Sequence, residues 1–347
     1  MRICNRYPGA NPRRASDVEK VAPDRFLVQP WSEDGDGNYK FCLNVEAVND
    51  SGAPEPVTLL IDWDELDYMG FRDYVLVGRD REWRFVPGKV DGAVTAVEME
   101  VPPGEWFVGL HPVYDLEMFE SDRLKATAGG FESFTFGGSF EERGITGLSI
   151  GDPGAPAVMV VSRFHPYETA GSFCVSAMLE MLAGDYAGDG PLTSRFHFVV
   201  VPMPNPDGTA SGCCKRSRSG GPDLCHEGAD SDDPAGQALA RLLADTRPSG
   251  YMDIHGWMHR DHDGFSFSHQ DRRDAMVEQL ASEPVFSKGW KGSDWSQRED
   301  LPGDFFMRAT RDHGAVGAVV SPSWFGRSVE DMREFGRKFL RAFCRGL

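Results

Sequence analysis

Hydrophobic and polar positions follow two different patterns along the chain, and the pattern changes near residue 129. In the first part, short segments rich in β-branched and aromatic residues lie at 39–48, 57–61, 74–77, 83–86 and 95–101. They alternate in part with polar residues and are separated by turn sequences such as Asn-Asp-Ser-Gly and Pro-Pro-Gly. Short strands at this spacing predict a small antiparallel β-sandwich domain over 23–128. Residues 1–22 are polar and rich in Pro and Arg, which predicts a tail ahead of this domain.

The second part predicts strands that alternate with helices. Apolar segments typical of buried strands lie at 157–162, 196–202, 251–254 and 315–320. Between and after them, helical patterns cover 170–183, 236–245 and 329–343. This alternation indicates an α/β domain over 129–347, with a mostly parallel mixed sheet and flanking helices.

Two runs of chemically active residues begin where predicted strands end. His165 and Glu168 form a His-x-x-Glu motif after one strand, and His255 follows another strand in Asp253-Ile254-His255-Gly256. The carboxyl ends of parallel strands meet at one edge of a sheet, so these side chains are expected to converge. Two imidazoles and one carboxylate can hold a zinc ion and leave a position open for water. Asp253 would point to the same side of its strand as His255 and could orient it.

The composition narrows the classes of partner. Acidic residues outnumber basic ones by 54 to 36, which gives a formal charge of −18. Nucleic acids and anionic membranes require a basic face, so neither is expected as a partner. The sequence contains no run of about 18 apolar residues, the length needed to span a membrane. Its N-terminus also lacks the apolar core of a signal peptide. The chain has seven cysteines, an odd number. Together with the lack of a secretory signal, this count favours reduced thiols and a cytoplasmic location.

Three motifs in order resemble the zinc metallocarboxypeptidase family, and more closely its cytosolic carboxypeptidase branch. They are His165-Pro166-Tyr167-Glu168, Pro204-Asn205-Pro206-Asp207-Gly208 and Asp253-Ile254-His255-Gly256. That branch also has a small β-sandwich ahead of its catalytic domain. Residues 104–107 and 111–114 look like the closing strand of that sandwich and the loop after it. The resemblance implies a metallocarboxypeptidase-like fold and one zinc ion held by His165, Glu168 and His255. It gives the Asn-Pro-Asp-Gly turn a structural role in shaping the wall of the site.

The resemblance also suggests the residue that stabilises the oxyanion. In the family branch an arginine stands seven residues before an Asp-Leu-Asn-Arg run, and here Arg216 stands seven residues before Asp223-Leu224-Cys225-His226. An arginine there can stabilise the charge that develops on a carbonyl oxygen during hydrolysis. Arg218 and Lys215 are alternatives for that role, and a merely solvated basic loop is another. Arg218 is also a candidate for substrate binding.

Two departures from the family alter its chemistry. Cys225-His226 replaces the Asn-Arg pair that holds a peptide's terminal carboxylate, and neither residue can copy arginine's bidentate grip. His226 could bind a different polar group or be inert. The family's catalytic glutamate falls at Ser321, whose hydroxyl cannot accept a proton from zinc-bound water near pH 7. Glu299, Asp300, Glu227 and Glu330 are possible substitutes for that glutamate.

We therefore expect a zinc-dependent hydrolase of a peptide or small amide with an atypical substrate. A catalytically silent relative that keeps zinc and binds a peptide is the alternative. Trp257 is a candidate contact with the substrate. For His259 and His262 we favour a polar loop over a second metal site. The oligomeric state is left open.

Overall fold

The computed structural model describes residues 1–12, 14–33, 42–63, 72–184, 191–256, 259–292 and 301–347. Within these ranges the strands form two sheets, one before residue 110 and one after residue 131. The α-helices lie almost entirely with the second sheet. No helix in the described ranges has the length and apolar composition that a membrane span requires.

The first sheet has nine strands in the described residues, in the order β1-β4-β9-β6-β7-β8-β5-β3-β2. Their bounds are β1 Arg2–Cys4, β2 Val18–Ala22, β3 Arg25–Val28, β4 Asn44–Asn49, β5 Glu55–Asp62, β6 Tyr74–Arg79, β7 Glu82–Asp91, β8 Val94–Val101 and β9 Gly104–Gly109. The first half of β7 pairs with β6 and its second half with β8, so β7 links two half-sheets. Apolar residues from both half-sheets pack into one core. An N-terminal β-rich domain is therefore present.

Two details of this region differ from the sequence prediction. β3 and β5 run parallel, so the sheet is not wholly antiparallel. Residues 1–22, expected to be a tail, contain β1 and β2, which pair with β4 and β3. These two strands lie at the two ends of the strand order, where a strand tolerates polar and charged residues. Ile3 and Val18 still pack against the core. Because residues 1–22 are polar in composition, the sequence pattern did not predict these two edge strands. The boundary near residue 128 stays a prediction.

The second sheet has eight strands in the described residues, in the order β10-β11-β13-β12-β14-β17-β15-β16. Their bounds are β10 Glu132–Gly138, β11 Gly144–Ile150, β12 Ala157–Ser162, β13 His197–Val201, β14 Gly250–Ile254, β15 Asp263–Phe267, β16 Trp290–Lys291 and β17 Val316–Ser321. The central strands β13, β12, β14 and β17 run parallel. β10, β11 and β15 introduce antiparallel pairs. The mixed α/β sheet predicted from the sequence is confirmed.

Helices cover both faces of this sheet. Within the described ranges they are α1 Leu116–Ala128, α2 Thr169–Ala183, α3 Pro206–Ser211, α4 Pro234–Thr246, α5 Gln270–Leu280, α6 Phe305–Met307 and α7 Val329–Arg345. Val158 and Val160 of β12 share a core with α2 and α7. Met159 and Val161 share a different core with α4 and α6. Since successive side chains point to opposite faces, a strand covered on both faces is apolar throughout.

Close packing at the ends of β12 and β14 brings the two ligand runs together. A Cβ added to Gly171, in the first turn of α2, would lie 2.5 Å from the carbonyl oxygen of Ile254. One added to Gly256 would lie 3.2 Å from the Cα of Glu168. Glycine at these two positions lets α2 and the end of β14 approach each other closely. Glu168, just before α2, and His255, just after β14, therefore become neighbours.

Candidate metal centre

His165 and Glu168 lie in the loop between β12 and α2, and Arg163 shapes that loop. The backbone of Arg163 has a φ of 64°, a left-handed conformation that is uncommon for residues other than glycine. Its buried guanidinium donates from Nε to the carbonyl oxygen of Pro166 at 2.6 Å and from Nη1 to the hydroxyl of Ser172 at 3.0 Å. Arg163 therefore fixes the turn from which the two candidate ligands project.

The carboxylate of Glu168 lies between two histidines. Its Oε1 is 3.0 Å from Nδ1 of His165, and its Oε2 is 2.6 Å from Nδ1 of His255. All three side chains are buried, and one potential ligand atom of each lies within 4.8 Å of the other two. The structure thus brings together the three residues for which the sequence predicted zinc binding.

The outer nitrogen of each histidine faces an aspartate. Nε2 of His165 lies 3.1 Å from Oδ1 of Asp223, and Nε2 of His255 lies 3.1 Å from Oδ2 of Asp253. An aspartate that accepts Nε2–H leaves the lone pair on Nδ1, which is the tautomer a metal ligand needs. The position of Asp253 was expected from its place two residues before His255. The role of Asp223 was missed, because 58 residues separate it from His165.

Electrostatics in this cluster favour positive charge. Burial alone would lower the pKa of His165, but Glu168 and Asp223 outweigh it and raise that pKa to about 9. Burial also opposes the charge on His255, yet Asp253 and Glu168 raise its pKa well above its ordinary value. Burial would raise the pKa of Glu168, but the two histidines hold it well below its usual range. Three buried carboxylates around two imidazoles make a cation favourable here.

These residues fit a zinc ion. Two imidazole nitrogens and one carboxylate oxygen are typical ligands of catalytic zinc sites, where water takes the fourth position. Nδ1 of His165 is buried and makes no hydrogen bond of acceptable geometry within the described part of the chain. A buried polar atom in that state is uncommon and often marks an ion site. When bound, zinc would be held by His165, Glu168 and His255.

Asn205 ties the loop that carries Arg216 to the loop that carries His165. Its side-chain amide donates to the carbonyl oxygen of Phe164 at 2.7 Å and to that of Arg216 at 3.3 Å. Its Oδ1 accepts the backbone N–H of Gly208 at 3.0 Å and so caps α3. These contacts agree with the structural role expected for the Asn-Pro-Asp-Gly turn.

Glu33 of the β-rich domain makes a second attachment to the Arg216 loop. Its buried carboxylate accepts three successive backbone N–H groups, from Cys214 at 2.9 Å, Lys215 at 2.6 Å and Arg216 at 2.7 Å. Consecutive backbone donors of this kind form a concave anion site. Sequence reasoning missed Glu33, because no motif surrounds it and its partners lie more than 180 residues away.

The side chains of Arg216 and Arg218 make different contacts. Nη1 of Arg216 donates to the carbonyl oxygen of Gly221 at 2.9 Å. Nη1 of Arg218 lies 2.7 Å from buried Asp233, and its guanidinium stacks 4.0 Å from the centre of the Phe140 ring. The contacts of Arg218 favour a structural role. The substrate-binding role of Arg218 and the oxyanion role of Arg216 stay predictions.

His226 forms a hydrogen-bonded pair with Asp304. Nδ1 of His226 lies 2.7 Å from Oδ2 of Asp304, which is fully buried. Asp304 is itself fixed, because its Oδ1 accepts the N–H of Met307 and so caps the start of α6. One ring nitrogen of His226 lies within 4.8 Å of a ring nitrogen of His165. Asp304 was not singled out in the sequence, since it stands in no recognisable motif.

Cys225, next to His226, lies deeper in the site. Its buried sulfur is 3.7 Å from Nε2 of His255 and 3.6 Å from Oδ2 of Asp253. Burial, followed by the charge of Asp253, raises the pKa of this thiol well above its ordinary value. A buried neutral thiol cannot replace the bidentate grip of an arginine on a carboxylate.

Ser321 ends β17 beside the end of β14. The parallel register pairs Ile254 with Val320, and the backbone N–H of His255 donates to the carbonyl oxygen of Val320 at 2.8 Å. Ser321 therefore follows at the level of His255. Because neighbouring residues in register project to the same face of a sheet, a side chain at position 321 lies beside a candidate metal ligand.

The other candidates for a proton acceptor or a cationic group pair with neighbouring protein groups. Lys215 Nζ lies 3.0 Å from Oδ2 of Asp223, and the carboxylate of Glu227 accepts the N–H of Asp223 at 3.0 Å. Glu330 pairs with Arg333 and Arg337 on its own helix. Three residues named from the sequence lie outside the described ranges: Trp257, Glu299 and Asp300.

Comparison with known proteins agrees with this fold. The zinc carboxypeptidase family (Peptidase_M14) matches residues 122–216, which contain His165, Glu168 and Arg216. Cytosolic carboxypeptidase 2 of Danio rerio is 32% identical over 136 residues, which cover 38% of this chain and 18% of that protein. A metallocarboxypeptidase A-like protein of Trichophyton verrucosum is 33% identical over 107 residues, or 30% of this chain and 25% of the relative. The chain thus matches no more than a quarter of the length of these relatives.

Solved structures resemble the whole chain. A metallo-carboxypeptidase from Burkholderia cenocepacia superposes with a TM-score of 0.83 at 19% identity, covering 99% of this chain and 98% of the other. One from Pseudomonas aeruginosa, in complex with (2-guanidinoethylmercapto)succinic acid, gives a TM-score of 0.82 at 16% identity, with coverage of 99% and 98%. At such low identity these matches show the fold.

The fold and the ligand cluster together define a metallocarboxypeptidase-like protein. Residues 122–216 match the zinc carboxypeptidase family Peptidase_M14, and part of the chain is homologous to the cytosolic carboxypeptidases.

Proposed function

We propose that this protein is a zinc-dependent hydrolase of a peptide or small amide, with a substrate that differs from an ordinary peptide C-terminus. The observation that carries the proposal is the convergence of His165, Glu168 and His255, with Asp223 and Asp253 behind the two histidines. The family match supports it, since a zinc carboxypeptidase domain uses this chemistry.

Zinc, when bound, would polarise the scissile carbonyl and lower the pKa of a water molecule. The protein's own residues would set the geometry around that chemistry. Asp223 and Asp253 would keep the imidazoles in the tautomer that ligates through Nδ1. The guanidinium of Arg216 would donate to the carbonyl oxygen as negative charge develops there. Asn205 and Glu33 would hold the backbone of Arg216 in place for that contact.

We further propose that His226 takes part in substrate recognition and proton transfer. Asp304 accepts Nδ1–H of His226 at 2.7 Å, which leaves Nε2 as the nitrogen able to exchange a proton or bind the substrate. An oriented histidine with a buried aspartate behind it is an effective general base. Such a pair would supply the proton acceptor that Ser321 cannot provide. A single imidazole grips a carboxylate less well than arginine does, so a substrate ending in an amide or another polar group is favoured.

Zinc content and hydrolysis test this proposal together. We expect the His165→Ala, His255→Ala double variant to hold one zinc ion fewer per chain than the unmodified protein and to lose hydrolysis. Activity is measured on matched peptides with free and amidated C-termini and on N-acyl amino acids, and the amidated or acylated compounds should be preferred. His269→Ala removes an exposed histidine and serves as the control. An unchanged zinc content in the double variant would exclude the proposed ligands.

His226 and Asp304 have their own test. Asp304→Asn and His226→Gln should lower kcat by about 10²- to 10⁴-fold, the contribution of a positioned general base. Zinc content should not change. If both variants keep the original kcat and pH profile, the pair is structural.

A catalytically silent protein that keeps zinc is the second candidate function. It is supported by Ser321, which lies at the level of His255, if Ser321 stands at the position of the family's glutamate as the resemblance implies. In that case the protein would bind zinc through the same ligands and cleave none of the test compounds. It would still bind peptides, which equilibrium dialysis with the same panel would detect.

A further inference from the structure

A second group of metal-ligating side chains lies in the loop between β14 and β15. His259, Asp261 and His262 each bring one ligand atom to within 4.8 Å of the other two. None of the three belongs to the cluster of His165 and Glu168 described above. The sequence favoured a polar loop for these histidines, and the geometry now favours a metal site instead.

The contacts within this group resemble those of the candidate zinc site. The ring centroids of His259 and His262 are 4.5 Å apart, with an angle of 34° between the rings. Oδ1 of Asp261 lies 2.6 Å from Nδ1 of His262. The carboxylate of Glu168 contacts Nδ1 of His255 at the same distance. Both clusters therefore consist of two imidazoles and one carboxylate whose potential ligand atoms lie within 4.8 Å of one another.

The surroundings suit a divalent transition metal. His262 is buried and His259 is partly buried. The ammonium of Lys291 lies 3.8 Å from Oδ2 of Asp261, but it is exposed and can turn into solvent. Imidazole and carboxylate together select zinc, nickel, cobalt or copper over magnesium and calcium.

The position of the loop indicates what such an ion would do. Arg260, within the loop, pairs with Asp73, the residue just before β6. Its guanidinium also lies 4.5 Å from the centre of the Phe325 ring, just beyond β17. An ion that joins His259 to His262 would fix Arg260, which lies between them in the chain. It would thereby fasten the loop after a candidate zinc ligand to the β-rich domain.

We propose that His259, Asp261 and His262 form a second divalent-metal site with a structural role. Three protein ligands leave at least one position for water. The proposal does not depend on hydrolytic activity, because the site shares no residue with the candidate catalytic centre.

Metal stoichiometry of the full chain tests this proposal. Protein stripped by dialysis against a chelator is re-equilibrated with excess zinc, freed of unbound ion by gel filtration, and analysed for zinc per chain. The His259→Ala, His262→Ala double variant should hold one ion fewer than the unmodified protein. The same loss should appear on top of the His165→Ala, His255→Ala changes when all four are combined. Asp261→Asn, a milder change at an exposed residue, should weaken zinc binding at this site by at least tenfold in a competition titration.

Controls separate this result from misfolding and from failure of the first site. Circular dichroism must show that each variant folds, and His269→Ala with His313→Ala should leave the count unchanged. Cobalt substitution adds an independent readout, since the double variant should lose part of the visible absorption that a tetrahedral cobalt site gives. Equal zinc content and equal cobalt spectra in the double variant and the unmodified protein would overturn the proposal. That result would leave the His165 site untouched.

Discussion

Substitution of Glu33 directly tests whether the β-rich domain holds the Arg216 loop of the candidate site in place. In the structure its carboxylate accepts the backbone N–H groups of Cys214, Lys215 and Arg216 at 2.6 to 2.9 Å. A hydrogen bond to a charged group contributes about 1.5 to 3 kcal/mol, and such losses are not additive when water can enter. We therefore expect Glu33→Ala to lower the free energy of unfolding by about 3 to 5 kcal/mol. Glu33→Gln, which keeps one acceptor oxygen, should cost about 1 to 3 kcal/mol.

The expected change in melting temperature follows from the size of the chain. With about 2.1 cal/mol/K of unfolding entropy per residue, 347 residues correspond to about 1.4 °C per kcal/mol. Glu33→Ala should thus lower Tm by about 4 to 7 °C, measured by circular dichroism.

Hydrogen exchange at residues 214–216 distinguishes loss of this contact from general destabilisation. Those three amides should exchange faster in Glu33→Ala, while amides in the central strand β12 keep their protection below the melting transition. Glu132→Gln, an exposed substitution in β10, is the matched control and should change neither quantity. If Glu33→Ala has the same melting temperature as the unmodified protein and the three amides stay protected, the carboxylate does not hold the loop.

Three further predictions concern the site itself. Asp223→Asn should weaken zinc binding about 10- to 100-fold, because His165 would no longer be oriented as a ligand. Competition with a chromophoric chelator measures the affinity, and an unchanged value would show that Asp223 does not orient His165. Arg216→Ala should lower kcat by about 10²- to 10³-fold with little change in zinc content, and a purely raised KM in steady-state assays would argue against an oxyanion role. Ser321→Glu, placed at the level of His255, should raise peptide hydrolysis by about 10²-fold or more if a missing base limits turnover; no gain in a zinc-loaded sample would contradict that explanation.

The α/β domain could be predicted because its central strands are buried on both faces. β12 begins and ends at the predicted residues, and β14, β17 and α7 differ by one or two residues at an end. Apolar runs of this kind are unambiguous when helices alternate with them. α1 and α5 were not predicted, because each buries few of its residues. Polar composition likewise concealed β1 and β2 at the edges of the first sheet.

The candidate ligands could be predicted from motifs, but their supporting residues could not. His165, Glu168 and His255 stand at strand ends, where parallel topology alone brings side chains together. Asp223 and Asp304 act through partners 58 and 78 residues away. Such pairs depend on how loops fold over one another, and a single sequence carries no periodic signal for that.

Contacts from the β-rich domain reach three of the loops that carry candidate site residues. Glu33 holds the loop of Arg216. The ring of His111 lies 5.4 Å from that of Tyr167, between the two ligands of the His-x-x-Glu motif. Burial lowers the pKa of His111 to about 4, so it packs there as a neutral aromatic ring. Arg260 in turn joins the loop after His255 to Asp73. The loops that carry Arg216, the His-x-x-Glu motif and Arg260 therefore each have a partner in the β-rich part of the chain, in addition to their own internal hydrogen bonds.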